Sequence, residues 1–208
     1  PGMKGLSASI SGTAMLMSFS AVAQDIKEDF KPSELNQPGQ EYPMVNSQGY
    51  VRFKMHAPEA KSVVVSLGLG GAKGGTTLTK GEDGFWTGTT EGPMDEGFHY
   101  YNVTIDGGKF NDPGACNFYG SIRWESGIEI PAHDRDFYAL KKDVPHGKVQ
   151  QVLVWSESTQ SFHRSFVYTP AGYDQSTEKY PVLYLQHGWG EDETAWMNQG
   201  HANLILDN

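Results

Sequence analysis

The chain has 208 residues, 38% hydrophobic and 12% aromatic, which is enough apolar material for one large or two small domains with packed cores and argues against a disordered chain. Its net charge is −9, with 16 basic residues spread among 25 acidic ones. Without a basic block it offers no grip on phosphates, so nucleic acid and anionic membranes are set aside as partners and a neutral polymer or small molecule fits better. One cysteine, Cys116, excludes an internal disulfide.

Residues 1–23 have the layout of a secretory signal: basic Lys4, a short apolar and small-residue run over 10–19, and Ala21-Val22-Ala23 as a small-x-small cleavage site. Cleavage is expected before Gln24, which places the protein in the periplasm or outside the cell. No other stretch approaches the length of a membrane span. Pro1-Gly2 stands ahead of Met3, and a helical pattern is still running at Leu206-Asp207-Asn208, so a partial reading frame is expected.

Residues 24–37 form a polar lead-in, and from 38 to 140 the pattern is that of strands. Val51, Phe53 and Met55 alternate with Arg52, Lys54 and His56, the signature of a half-buried strand. Apolar or β-branched runs follow at 62–67, 76–80, 85–90 and 98–105, separated by Gly, Pro and Asp clusters. Such spacing predicts an antiparallel β-sandwich. Asp106-Gly107-Gly108 signals a hairpin and Asn111-Asp112-Pro113-Gly114 a further turn.

Four stretches here, APEAKSVVVS from Ala57, DGFWTGTT from Asp83, GFHYYNVTIDG from Gly97 and NDPG from Asn111, resemble the immunoglobulin-like, early-set module of the glycogen-binding type found in front of bacterial carbohydrate esterases. That resemblance implies a carbohydrate partner. Sugar faces present C–H groups that stack on aromatic rings, so Trp86, Tyr100, Tyr101, Tyr119 and Trp124 are the candidate sugar-binding residues. Phe85 and Trp86 are strand neighbours, as are Tyr100 and Tyr101, so about half of these rings must face inward by the two-residue period. For Trp86 a core position is the stronger reading, whereas Trp124 lies in a Gly- and Ser-bounded, loop-like stretch. A module that only escorts its neighbour remains open.

Residues 141–147 read as a linker, and 148–208 as a second, incomplete unit. Runs at 148–155 and 161–168 flank the polar turn Glu157-Ser158-Thr159-Gln160 and predict a hairpin. The near-continuous apolar run over 180–186 predicts a strand buried on both faces. It leads into His187-Gly188-Trp189-Gly190 and then into an acidic helix start. Two glycines around one residue let the backbone turn sharply and aim an N–H at a developing negative oxygen.

The series FVYTPAGYD from Phe166, YPVLYLQHGWGEDETAW from Tyr180 and GHANLILDN from Gly200 is similar to the esterase D-like carbohydrate esterases, carbohydrate esterase family one, with its feruloyl and acetyl xylan esterases. The resemblance implies the truncated start of an α/β-hydrolase domain. It gives the Trp189 backbone N–H half of an oxyanion hole, with Gly188 and His187 shaping the turn. His187 precedes any nucleophile in chain order and is not the general base. No G-x-S-x-G occurs in the chain, so nucleophile, acid and base are expected outside it and the chain alone is expected to be inactive. Glu191, Asp192 and Glu193 read as solvated acids at a helix start, the histidines lack ligand spacing, and neither a metal nor another cofactor is expected.

The expectation is therefore a mainly β chain, an early-set sandwich followed by the start of an α/β-hydrolase. It would be the N-terminal part of a secreted feruloyl or acetyl xylan esterase, with xylan-type plant cell-wall polysaccharide or its acylated oligosaccharides as partner. The alternatives are a non-catalytic carbohydrate-binding module, a surface glycan-binding protein, or an adhesin built on a sandwich.

Overall fold

A computed structural model describes residues 25–67 and 75–208; the expected signal segment, 1–23, lies outside them. The first unit is built from eleven strands: β1 (Lys31–Pro32), β2 (Met44–Val45), β3 (Val51–His56), β4 (Val63–Leu67), β5 (Thr76–Thr77), β6 (Thr79–Lys80), β7 (Phe85–Thr89), β8 (Gly97–Ile105), β9 (Gly108–Phe110), β10 (Asn117–Gly120) and β11 (Arg123–Ile130). They form two antiparallel sheets, ordered β1-β2-β3-β7-β6 and β10-β11-β8-β4-β5, with β9 paired to β8. The core lies between the sheets: Val51, Phe53, Met55 and Trp86 from the first face Val63, Val65, Tyr101, Val103, Ile128 and Ile130 from the second. The alternation read at 51–56 is buried, partly exposed, buried, as a strand with one face on a core requires.

The strand expected over 76–80 is two short ones. β5 pairs with β4 in one sheet and β6 with β7 in the other, and buried Leu78 between them donates its N–H to the Val63 carbonyl at 2.9 Å. Here the chain crosses between sheets, as it does at sandwich corners. The hairpin predicted at Asp106-Gly107 joins β8 to β9, with both residues left-handed at φ 48° and 88°. The two-residue turn with positive φ at both positions matches the twist of the flanking strands.

Beyond the sandwich, β12 (Lys148–Ser156) and β13 (Ser161–Thr169) form the predicted hairpin, in register from Lys148↔Thr169 to Ser156↔Ser161. Among the described residues it pairs with no further strand. The buried strand expected over 180–186 is not formed: this stretch has no ladder, and Val182 and Tyr184 are 70% and 89% exposed. A strand needs neighbours to satisfy its backbone and cover its faces, and none of the described residues supplies them. The helical pattern that follows is two short helices, α1 (Ala195–Asn198) and α2 (Ala202–Asp207), broken at Gly200 and at His201, whose φ is 51°. Among the described residues no helix is long and apolar enough to cross a membrane.

Candidate functional site

The glycine turn is built from its own backbone and from one acid. Glu191 donates its N–H to the Gly188 carbonyl at 3.3 Å, closing the turn, while its carboxylate Oε2 accepts the Gly188 N–H at 3.0 Å. Gly190 is left-handed at φ +72°, a conformation that glycine adopts without strain. Trp189 between the two glycines is 76% exposed, and among the described residues no bond to its N–H is formed. Among the described residues the His187 ring hydrogen-bonds only its neighbour, with Nδ1 2.9 Å from the Gly188 carbonyl oxygen, and Trp196 Nε1 donates to the Gln186 carbonyl at 2.9 Å. The segment ahead of the turn is thus tied to α1 through Gln186.

The three acids after the turn do not stand free in solvent at a helix start, as the sequence suggested. Glu191 Oε1 accepts a 2.7 Å bond from the Tyr100 hydroxyl of β8, Asp192 Oδ1 accepts from the Thr194 N–H and hydroxyl, and Glu193 pairs with Arg164 of β13. Each is spent on a different partner, which is why they do not converge on one point.

The turn rests on the sandwich. The Ile122 N–H, at the tip of the β10–β11 hairpin, donates to the Gly190 carbonyl at 2.8 Å. A Cβ on Gly190 would lie 3.0 Å from Ser121 Cα and 3.1 Å from Ile122 N, so this is backbone against backbone. Gln199 donates through Nε2 to the Tyr100 hydroxyl at 2.8 Å and to the Tyr119 carbonyl at 3.1 Å. Burial, helped by the Glu191 carboxylate, holds the Tyr100 phenol well above its ordinary pKa, so the hydroxyl remains a donor throughout the neutral range.

The five aromatic candidates divide accordingly. Trp86 is 6% exposed in the core, its Nε1 donating to the Ala57 carbonyl at 2.9 Å, and Tyr101 is fully buried and donates to Asp112 at 2.7 Å. Neither can meet a sugar. Tyr100 faces outward, opposite to Tyr101, but it is half-buried and its hydroxyl is taken up by Glu191 and Gln199. Trp124, 59% exposed, and Tyr119 remain, cross-strand partners with ring centroids 5.7 Å apart. Ile122, at the tip of the same hairpin, and Phe110 of β9 are also exposed.

Ligand atoms of Glu96, His133 and Asp134 lie within 4.8 Å of one another on the surface. The grouping joins residues far apart in the chain and so had no spacing signal. The His133 ring is paired there with Glu96 at 2.7 Å, and the Glu96 bond holds the imidazole pKa above its ordinary value.

No family model matches the chain. Over 186 residues it is 66% identical to an endo-1,4-beta-xylanase/feruloyl esterase of Xylanibacter ruminicola, an alignment that covers 88% of this chain and 26% of that protein. The chain thus spans about a quarter of the length of this curated relative. Among solved structures, the Group B Streptococcus pullulanase SAP overlaps 50% of this chain and 16% of its own, at 17% identity and TM-score 0.35. The catalytic module of the pneumococcal glycogen-degrading factor SpuA overlaps 62% and 19%, at 20% identity and TM-score 0.35.

Proposed function

We propose that this chain is the N-terminal portion of a secreted carboxylic ester hydrolase acting on plant cell-wall polysaccharide, a feruloyl or acetyl xylan esterase. The observation that carries this reading is the 66% identity over 186 residues to a xylanase/feruloyl esterase. In it, residues 38–140 are an early-set carbohydrate-binding-type module and 148–208 open an α/β-hydrolase domain of the esterase D-like family. A serine from the remainder of the protein attacks the ester carbonyl, and the tetrahedral oxyanion is held by the Trp189 N–H and a second N–H before the acyl-enzyme is hydrolysed. Trp189 is 76% exposed and among the described residues its N–H makes no hydrogen bond, which supports that role.

The full-length protein is expected to release ferulate from methyl ferulate or acetate from acetylated xylan, while residues 1–208 alone release neither. Cleavage of neither ester by the full-length protein overturns the substrate assignment. Mass spectrometry of the exported protein is expected to find Gln24 at its N-terminus.

A second reading is favoured by one observation, the exposed Trp124 ring packed edge-on against the half-buried Tyr119. Two rings on one face suit a neutral polysaccharide chain, and the module then serves to hold xylan or a related glucan. In affinity electrophoresis xylan is expected to retard the chain, and Trp124→Ala to abolish the retardation, a loss of about 1–3 kcal/mol per stacking ring by analogy with base–aromatic stacking. Equal mobility with and without polysaccharide leaves the module as an escort.

A further inference from the structure

We propose that the sandwich sets the position of the glycine turn, with Tyr100 and Ile122 as positioning residues for the Trp189 N–H, Tyr100 acting through Glu191 and Ile122 directly. The proposal rests on the reading of that turn as half of an oxyanion hole. An oxyanion hole stabilises charge only when its donors are fixed before the reaction, and a displacement of about 1 Å costs on the order of a hundredfold in rate. The segment in front of the turn does not provide that fixing among the described residues, since 180–186 has no ladder. The sandwich does, at two points.

The first point is a side chain. Glu191 reaches both ways, Oε2 to the Gly188 N–H at 3.0 Å and Oε1 to the Tyr100 hydroxyl at 2.7 Å. That hydroxyl has one proton, which goes to Glu191 at 2.7 Å in preference to the Tyr119 carbonyl at 3.4 Å, and its oxygen accepts from Gln199 Nε2 at 2.8 Å, so these partners set its direction. Gly120 makes the arrangement possible: a Cβ there would lie 2.2 Å from Tyr100 Cζ, so only glycine lets the ring lie across β10.

The second point is the hairpin tip. Ser121 and Ile122 both have positive φ, 53° and 68°, a backbone that asparagine and glycine adopt readily and a β-branched residue does not. This conformation presents the Ile122 N–H to the Gly190 carbonyl at 2.8 Å. Strain at a position whose N–H holds the glycine turn is an observed outlier of the kind that points to function. The turn is therefore pinned on either side of Trp189, at Gly188 through Glu191 and at Gly190 through Ile122.

The experiment is steady-state kinetics of the full-length protein on methyl ferulate, a substrate too small to need a polysaccharide surface. Tyr100→Phe and Glu191→Gln are each expected to lower kcat by about 10–100-fold with KM changed less than about twofold, and the double variant to fall no further than the poorer single one. Val63→Ala, in the sandwich core away from the contact, is expected to lower Tm at least as far and to keep kcat. Wild-type kcat in Tyr100→Phe, or a kcat in Val63→Ala that falls with its Tm, overturns the proposal. If the wild-type protein hydrolyses no ester, the oxyanion reading has failed and amide hydrogen exchange judges the buttress. Faster exchange at Gly188 and Ile122 in Tyr100→Phe then supports it, and unchanged exchange overturns it.

Discussion

Ile122 occupies a backbone conformation that costs an L-residue roughly 1–2 kcal/mol, and its side chain, 65% exposed, recovers little of that by packing. Ile122→Gly keeps the N–H and removes the clash, so it is expected to raise stability by about 1 kcal/mol in urea unfolding, the relief outweighing the extra freedom of glycine in the unfolded chain. The opposite case is Tyr101, buried against Asp112. The Asp112 carboxylate takes the Tyr101 hydroxyl on Oδ2 at 2.7 Å and the Gly114 N–H on Oδ1 at 2.8 Å. Burial nonetheless pushes the Asp112 pKa up, and the tyrosine proton works against that rise. Tyr101→Phe leaves a buried acceptor unpaired and is expected to cost about 1–3 kcal/mol in urea unfolding at neutral pH. The loss should shrink toward acid pH, where protonation removes the charge that the hydroxyl neutralised. At this scale the sequence puts Trp86 in the core and says that Tyr100 and Tyr101 face opposite ways, but the period alone does not say which of the two is the inward ring. What covers Tyr100 was not legible, because Glu191 lies 91 residues further along the chain and no local pattern encodes such a pairing.

The outer face of the second sheet shows why two glycines sit in otherwise aromatic strands. Phe98 meets Tyr100 at 4.9 Å and Phe118 at 5.0 Å, both edge-on. Gly120 lies under the Tyr100 ring, and a Cβ on Gly127 would come within 2.5 Å of Phe118 and 2.7 Å of Phe98. Gly120→Ala is accordingly expected to cost about 1–3 kcal/mol by overpacking, read as a lower Tm, and to loosen the bond between Tyr100 and Glu191. The strands themselves were largely legible, since alternation over 51–56 and the turn chemistry of Asp106-Gly107 are local properties. Two segments were not. Residues 76–80 carry one β-like composition but switch sheets at Leu78, a decision made by what Leu78 packs into. Residues 180–186 have the composition of a doubly buried strand, yet burial is a property of neighbours, and among the described residues no strand lies beside them.

At the scale of the whole molecule, the two units are joined by a second clasp, built around Asp207 and Asn208. The Asp207 side chain of α2, 3% exposed, accepts the Gly147 N–H and the Tyr168 hydroxyl on Oδ1, each at 2.8 Å, and faces His146 Nδ1 from Oδ2 at 2.8 Å. His146 Nε2 lies 2.9 Å from the Lys141 carbonyl, so both ring nitrogens face acceptors and the imidazolium is the species that satisfies them. The linker is thereby tied to the last helix, and Asn208 adds bonds to the Phe137 and Ala139 carbonyls at 3.1 and 3.0 Å. The Asp207 bond raises the His146 pKa above 6.5. For Asp207, burial alone would raise the pKa, but the Gly147, His146 and Tyr168 bonds outweigh it and hold the carboxyl below 3.8. A raised histidine contributes stability that is complete below its unfolded pKa and disappears as pH rises through the folded value; a depressed carboxyl contributes stability that disappears as pH falls through its own. The charged clasp is therefore at full strength between the ordinary pKa values of the two groups, from about pH 4 to about pH 6.5. His146→Ala removes the cation and leaves the Gly147 and Tyr168 bonds to Asp207. The Tm difference between wild type and this variant is expected to be largest near pH 5.5 and to shrink by pH 8.5. A difference of equal size at both pH values would mean that His146 contributes through packing and its neutral hydrogen bonds, with no part played by its charge.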